Sequence, residues 1–239
     1  AGTGLPSRLK RLILPAAAGV FPAGLLLASF RNVLRADPGF VPENVLTASV
    51  ALNPTRYTNG EQRNVAWQQL LERVRAIPSV SSAGISSVLP FSGDYNSSVF
   101  SANDYVTKPG ESPISPPNSE VSTGYFESMG IELVRGRLFN ESDRTGSQRV
   151  YIIDEWLAQR FWPGQDPIGK LAFQGVRGIG LDNEIELHTV VGIVRNIQLT
   201  SFGDDPMTGH YYAPAAHETP GRAYLVVRTK GDAAALSSA

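Results

Sequence analysis

The sequence predicts an α+β fold: a β-α-β lobe with a smaller inserted α+β subdomain, preceded by a segment that resembles a membrane helix. Three observations support this prediction. The residues between Arg11 and Arg31 carry no charge, and the stretch from Leu46 to Val88 has a strand–helix–strand pattern. A segment rich in Ser, Pro, Gly and Asn then separates this unit from a second group of strands and helices.

The composition is that of a globular chain of one or two domains. Of the 239 residues, 42% are hydrophobic and 18% are charged, and 21 basic against 22 acidic side chains give a net charge of −1. This balance argues against a general nucleic-acid binder and against an acidic disordered tail. Cysteine is absent, which excludes a disulfide scaffold, a thiolate metal site and a cysteine nucleophile.

The amino-terminal stretch has the length of a membrane span. Residues Leu12 to Phe30 are uncharged and would extend about 28 Å as a helix, close to the ~30 Å hydrocarbon core of a bilayer. Pro15 and Pro22 would each remove a helical hydrogen bond. A buried or irregular soluble segment and a signal peptide are therefore alternatives to a membrane span.

A stalk, a turn and a strand follow this stretch. Residues 31–35 continue the helical character, and Asp37-Pro38-Gly39-Phe40 ends it as a turn. Alternating apolar residues then predict a strand over Leu46–Leu52 with one buried face. Thr58 and Glu61 fit a capping box, which predicts that the next helix begins after Thr58.

The next helix and strand complete the β-α-β unit. An apolar stripe at helical spacing is formed by Trp67, Leu70, Leu71 and Val74. Pro78 ends the helix, and Val80–Val88 is predicted to form a strand parallel to the first.

Short elements are predicted in the middle of the chain. Ser92–Glu120 is expected to be an extended loop, with one short strand near Val99–Ser101. Ser122 or Thr123 could cap a short helix that Gly130 ends. Further short strands are predicted over Ile131–Val134, Arg149–Ile153 and Leu171–Phe173. Between the last two, Asp154 is expected to cap a helix that points Leu157 and Phe161 inward.

The last third of the chain is predicted to return to the first lobe. Leu187–Leu199 is apolar on both faces and is therefore expected to be a strand covered on both sides. His210–Ala213 and Ala223–Thr229 are the remaining strand candidates, and a helix is expected to begin near Asp232. The predicted domains are 1–43 for the membrane-like helix and stalk, 44–90 and 187–239 for the two parts of the first lobe, and 91–186 for the inserted subdomain.

No motif in the sequence assembles a catalytic site. Gly164–Lys170 has the spacing of a phosphate loop, but it follows a predicted helix, and Leu171 stands where a hydroxyl side chain should bind Mg²⁺. The Gly164–Lys170 segment is better explained as a surface turn. The histidines, His188, His210 and His217, lack metal-ligand spacing. No catalytic residue, cofactor-binding residue, metal site or cofactor is predicted.

Five ordered segments resemble the extracytoplasmic domain of MacB-like and FtsX-like ABC transporter permeases, with the acidobacterial-type permeases as the nearest group. They are AGLLLASFRNVLRADPGF (23–40), VSTGYFESMGIELVRGRLF (121–139), RVYIIDEWLAQRFWPGQDPIGK (149–170), TVVGIVRNI (189–197) and YLVVRT (224–229). The resemblance implies a transmembrane helix followed by a periplasmic domain, in which a porter-like β-α-β lobe carries an inserted subdomain.

The resemblance also implies a function and partners. Such a domain would couple cytoplasmic ATP hydrolysis to export or envelope remodelling by mechanotransmission, from the bacterial inner membrane and facing the periplasm. The implied partners are a cytoplasmic ABC ATPase domain or subunit and a second permease copy, with a periplasmic adaptor protein as a further candidate and no nucleic acid. The alternative is a membrane-anchored periplasmic ligand-binding module without transport coupling. An extracytoplasmic hydrolase would require the nucleophile and base that no motif supplies.

Overall fold

The computed structural model describes residues 37–108, 110–176, 185–199 and 209–233. The predicted membrane segment (12–30) and stalk (31–35) lie outside the described residues, as does most of the helix predicted from Asp232 onward. Within the described ranges, no helix is both long and apolar enough to cross a bilayer.

The described residues contain three helices and ten strands. The helices are α1 (Gly60–Arg75), α2 (Tyr125–Met129) and α3 (Glu155–Phe161). The strands are β1 (Val45–Ala51), β2 (Val80–Ser86), β3 (Phe100–Ala102), β4 (Asn118–Val121), β5 (Leu133–Gly136), β6 (Val150–Asp154), β7 (Leu171–Gln174), β8 (His188–Val194), β9 (Tyr211–Pro214) and β10 (Arg222–Thr229).

One mixed sheet contains all of these strands. Nine of them follow the order β1-β10-β2-β4-β9-β6-β8-β7-β3, and β5 pairs with β8 outside this path. The pairs β4–β9 and β6–β8 are parallel, and the other pairs are antiparallel. A mixed sheet with helices packed on it confirms the predicted α+β class.

β10 lies between the two strands of the predicted β-α-β unit. It is antiparallel to both β1 and β2, so β1 and β2 run in the same direction, as predicted, without pairing to each other. α1 covers this part of the sheet with Trp67 and Leu71, which pack in one cluster with Ile85 and Val227. The apolar stripe predicted for α1 is therefore its buried face.

The start of α1 differs from the prediction by one residue. Asn59, not Thr58, is the N-cap, and its side chain accepts a hydrogen bond from Gln62 N at 2.9 Å. Gln62, not Glu61, reaches back, and its Oε1 accepts from Thr58 N at 2.8 Å. Asn caps a helix as well as Ser or Thr does, so the capping-box pattern did not by itself decide between Thr58 and Asn59.

The start of α2 also differs from the prediction. Its N-cap is Gly124, with φ +84° and no side-chain cap, rather than Ser122 or Thr123. Ser122 Oγ instead accepts a hydrogen bond from Ile85 N at 2.9 Å, so this hydroxyl bonds to the backbone of β2 and not to that of α2. Gly130 ends α2 in the left-handed conformation, as predicted.

The predicted Leu187–Leu199 strand is β8, which ends at Val194, and it lies in a different place from the one predicted. β8 pairs with β5, β6 and β7, all from the predicted inserted subdomain, and with no described strand of the first lobe. The boundary predicted at residue 187 is therefore wrong for this strand. Its two apolar faces indicated burial but carried no information about which strands would flank it.

The other elements lie close to their predicted positions. Asp154 caps α3, its side chain accepting from Leu157 N at 2.9 Å, and both Leu157 and Phe161 are buried. β5 begins two residues later than predicted. β4 was not predicted, because the abundance of Ser, Pro, Gly and Asn in residues 92–120 indicated an extended loop with one short strand near Val99–Ser101.

Candidate functional site

The segment that leads into the domain is fixed to three parts of it. Residues 38–44, here called the lead-in segment, precede β1. The backbone of the lead-in segment makes three hydrogen bonds: Val41 N donates to Met129 O at 2.8 Å, Gln198 N donates to Pro38 O at 2.9 Å, and Thr229 N donates to Asn44 O at 2.9 Å. The segment is therefore tied to α2, to the residues after β8 and to β10.

Arg228 of β10 reinforces this attachment. Its guanidinium donates to Val41 O at 2.6 Å and to Glu43 O at 2.9 Å, both in the lead-in segment. Its Nε donates to Ser128 O of α2 at 2.9 Å. A guanidinium offers several donors in a fixed plane, so one side chain connects three segments of backbone.

Two glycines allow the lead-in segment to approach its neighbours closely. Gly39 has φ +79°, and a Cβ there would lie 1.9 Å from Asn196 O. Gly130 has φ +67°, and a Cβ there would lie 2.8 Å from Val41 Cβ. Neither position has room for a Cβ atom, so the lead-in segment lies directly against the domain.

The chain enters the sheet and leaves it at neighbouring positions. Val45, the first residue of β1, lies opposite Arg228, near the end of β10. Lys230 follows β10 and is also held: its N donates to Ser79 O at 2.8 Å and its Nζ to Pro78 O at 2.9 Å. The lead-in segment, Arg228 and Lys230 together are called the junction below.

A second feature is a polar pocket of about 200 Å³. Asn118 of β4, Tyr151 of β6 and Tyr211 of β9 contribute buried walls, and Glu186 and Glu218 lie exposed at its mouth. His188 stacks on Tyr151 with the rings parallel and 3.9 Å apart. Burial lowers the pKa of His188 to about 4, so its ring is neutral at pH 7.

A third feature is a cleft of about 330 Å³ between α1 and residues 139–144. Trp67 and Leu71 contribute apolar surface, and Glu72 and Arg144 lie exposed beside them. The indole N–H of Trp67 is already bonded to Pro220 O at 2.8 Å. No buried, unpaired polar atom among the described residues lines this cleft.

The phosphate-loop-like segment Gly164–Lys170 is a turn before β7, as predicted. Lys170 Nζ pairs with Asp104 Oδ2 at 2.8 Å, and Gly169 N donates to Val190 O at 2.8 Å. The lysine and one of the loop amides are therefore already bonded within the protein.

The structure brings together two of the three histidines. His188 and His217 both line the polar pocket, whereas His210 is buried against Ser119, its Nε2 3.1 Å from Ser119 Oγ. Within the described ranges, no group of three or more His, Asp or Glu side chains is placed to hold a metal ion.

Sequence reasoning did not identify the residues that matter at these sites. Arg228 lies in the YLVVRT segment that carried part of the resemblance, but no pattern indicates that it bonds to residues before β1. Asn118 lies in the stretch predicted as a loop. Tyr211 lies in a predicted strand, where alternation alone could have shown that it and Tyr212 face opposite sides.

Comparisons with known proteins agree on one family. The model of the MacB-like periplasmic core domain matches residues 19–238. The macrolide export ATP-binding/permease proteins MacB of Neisseria gonorrhoeae and Neisseria meningitidis are 26% identical over 118 residues, which is 47% of this chain and 17% of theirs. The match thus spans less than a fifth of these curated relatives.

Solved structures share the fold. The periplasmic region of MacB from Actinobacillus actinomycetemcomitans matches with a TM-score of 0.53 at 15% identity, over 86% of this chain and 84% of that one. The extracellular domain of the noncanonic ABC-type transporter YknZ from Gram-positive bacteria matches with a TM-score of 0.50 at 14% identity, over 82% and 88%.

Proposed function

Because the chain belongs to the MacB-like periplasmic core domain family, we propose that it transmits movement between membrane helices and the periplasm in an ABC transporter permease. In this proposal the domain projects from the inner membrane into the periplasm. A cytoplasmic ABC ATPase domain or subunit drives the membrane helices, and the domain follows them. The permease works with a second copy, and a periplasmic adaptor is a further candidate partner.

The observation that supports this proposal most directly is the junction. A domain that follows a membrane helix needs a stiff connection, because a flexible linker behaves as a coil and lets its two ends move independently. The lead-in segment is instead held by backbone hydrogen bonds to Met129, Gln198 and Thr229, and by Arg228. A displacement applied before residue 38 would therefore be passed to α2 and β10.

Several hydrogen bonds contribute to this attachment. A neutral hydrogen bond contributes about 0.5–1.5 kcal/mol to stability, and one to a charged group about 1.5–3 kcal/mol. The lead-in segment has three backbone bonds and two from the Arg228 guanidinium. Detaching it requires breaking several of these bonds together, so the segment and the domain are expected to move as one body.

An insertion tests this proposal in the full-length permease with its ATPase. A Gly/Ser linker of about ten residues between Ala36 and Asp37 separates the membrane side from the junction without changing the junction itself. We expect ATP hydrolysis to persist and the variant to fail to rescue the phenotype caused by deleting the permease.

The matched control carries the same linker between Val106 and Thr107, which are both exposed in a loop after β3, at the opposite edge of the sheet from β1. Surface loops tolerate insertions at small cost, so this variant should rescue. Full rescue by the Ala36–Asp37 insertion would show that the connection is a passive tether and would refute the proposal.

A further inference from the structure

The polar pocket contains buried polar atoms that lack a hydrogen bond of normal geometry. Asn118 Nδ2 and Tyr211 Oη make no hydrogen bond of normal geometry among the described residues, although Asn118 is only 4% and Tyr211 only 1% exposed. The side chains of Ser98, Gln174 and Asn118 lie near the Tyr211 hydroxyl and partly offset the rise in its pKa that burial causes. The parallel pairing of β4 with β9 places these two residues opposite each other. Leaving a buried polar group unpaired costs about 1–3 kcal/mol, so the pair is suited to a molecule that enters the pocket.

Hydrogen bonds with Asn96 determine whether the Asn118 side chain acts as a donor or an acceptor in the pocket. Asn96 Nδ2 donates to Asn118 Oδ1 at 2.8 Å, and Asn118 N donates to Asn96 O at 2.9 Å. Because the amide oxygen of Asn118 is occupied in this way, its Nδ2 remains as a donor toward the pocket. A ligand must therefore offer an acceptor at this position.

The opposite wall offers acceptors. His188 Nδ1 lies 3.1 Å from Glu186 O, and a carbonyl can only accept, so Nδ1 carries the proton and Nε2 has a free lone pair when the ring is neutral. The carboxylates of Glu186 and Glu218 also line the pocket, and Glu120 lies on β4 two residues after Asn118. The ligand must offer donors on this side.

The charges in the pocket exclude an anionic ligand. Three carboxylates stand against one guanidinium, that of Arg149, which already binds Glu186 Oε1 at 2.6 Å. Burial lowers the pKa of both His188 and His217, so neither adds a positive charge at pH 7. A phosphate or carboxylate would meet net negative charge.

An amine also fits poorly, because an ammonium group has donors only and would leave Asn118 Nδ2 unpaired. A hydroxyl group both donates and accepts, and several hydroxyls on one rigid ring could meet both walls at once. We propose that this pocket binds a neutral saccharide unit, with Asn118 and Tyr211 as donors to it and His188 and Glu218 as acceptors from it. The pocket lies apart from the junction, so this proposal does not rest on the proposed coupling.

Binding can be measured on the full-length permease in phosphatidylcholine nanodiscs, which contain no sugar. Saturation-transfer NMR with D-glucose and N-acetyl-D-glucosamine should give signals on the ring protons of at least one of these probes, and ethanolammonium should give none. Tyr211→Phe removes only the hydroxyl, so we expect it to weaken binding about tenfold, which corresponds to about 1.4 kcal/mol.

Tyr212→Phe is the matched control. The Tyr212 hydroxyl is also buried and lacks a hydrogen bond among the described residues. Tyr212 follows Tyr211 in β9, and its ring packs on Phe126 of α2 instead of lining the pocket. We expect it to bind like the unmodified protein. Glu218→Ala changes an exposed residue at the mouth and should also weaken binding, which keeps the test valid if Tyr211→Phe does not fold. No signal with either sugar, equal effects of the two tyrosine variants with no effect of Glu218→Ala, or a signal with ethanolammonium alone would overturn the proposal.

Discussion

Gly130 ends α2 beside Val41 of the lead-in segment, in a conformation with φ +67°. In Gly130→Ala, the new Cβ would lie 2.8 Å from Val41 Cβ and 3.1 Å from an Arg228 guanidinium nitrogen. The substitution adds the cost of a left-handed non-Gly residue to that of overpacking. We expect the free energy of unfolding, measured by urea denaturation, to fall by roughly 3 kcal/mol.

Gly164 provides the comparison for this prediction. It has φ +71°, and a Cβ there would meet nothing within 4 Å. Gly164→Ala therefore isolates the backbone cost, about 1–2 kcal/mol. Equal losses in the two variants would mean that the close approach at the junction contributes nothing to stability.

Some single residues with a local role were predictable, although the N-caps of α1 and α2 were each assigned to a neighbouring residue, and residues with a distant partner were not predictable. Gly130 as the end of α2 and Asp154 as the cap of α3 follow from the chemistry of a few neighbouring positions. Arg228 bonds to Val41, and Asn118 lies opposite Tyr211, only because the fold brings distant parts of the chain together. No local pattern in one sequence carries that information.

The start of α1 allows a test at the level of an element. Asn59 Oδ1 accepts from Gln62 N at 2.9 Å, whereas Thr58 Oγ1 contacts only the Gln62 side chain, at 3.1 Å, on the exposed surface. Asn59→Ala leaves a helix N–H without its partner, so thermal or urea unfolding should show a loss of about 1 kcal/mol.

Thr58→Ala should change stability by less than about 0.5 kcal/mol, because it leaves the cap in place. A larger loss of unfolding free energy in Thr58→Ala than in Asn59→Ala would show that Thr58 is the N-cap, as the capping-box pattern predicted.

Elements were predicted more reliably than their neighbours in the sheet. Alternation and helical spacing identified β1, α1, β6 and β10 within one or two residues. β8 was identified as a strand buried on both faces, but its partners β5, β6 and β7 were not. Burial follows from side-chain polarity, whereas strand order depends on connections between distant segments, which periodicity does not encode.

At the scale of the whole molecule, successive strand pairs link the junction to the far edge of the sheet, and the β2–β4 link is a single residue pair, Ser86 with Val121. The sheet runs from β1, next to the lead-in segment, through its neighbours to β3. A movement at the junction should therefore displace the residues after β3 as part of the same body. The proposed function requires this displacement to depend on the nucleotide bound by the ATPase.

The domain is well suited to measuring such a movement, because it contains no cysteine. Val106 lies after β3 and is 84% exposed, so Val106→Cys provides one site in this domain for a nitroxide label that disturbs no packing, once any cysteines elsewhere in the transporter have been replaced. Arg228→Met weakens the junction. Arg75→Met is its matched control, because Arg75 also donates to backbone carbonyls of two segments, Ala83 O at 2.8 Å and Thr123 O at 2.7 Å, but makes no described contact with the lead-in segment.

The most direct test is the distance between the Val106→Cys labels of the two permease copies in the proposed dimer, measured by pulsed EPR on the full-length transporter with and without trapped MgATP. We expect nucleotide to shift the distance distribution in the otherwise unmodified protein and in Arg75→Met, and to shift it less, or to broaden it, in Arg228→Met. The same distribution in both nucleotide states, or a full shift that survives Arg228→Met, would contradict transmission of movement through the junction.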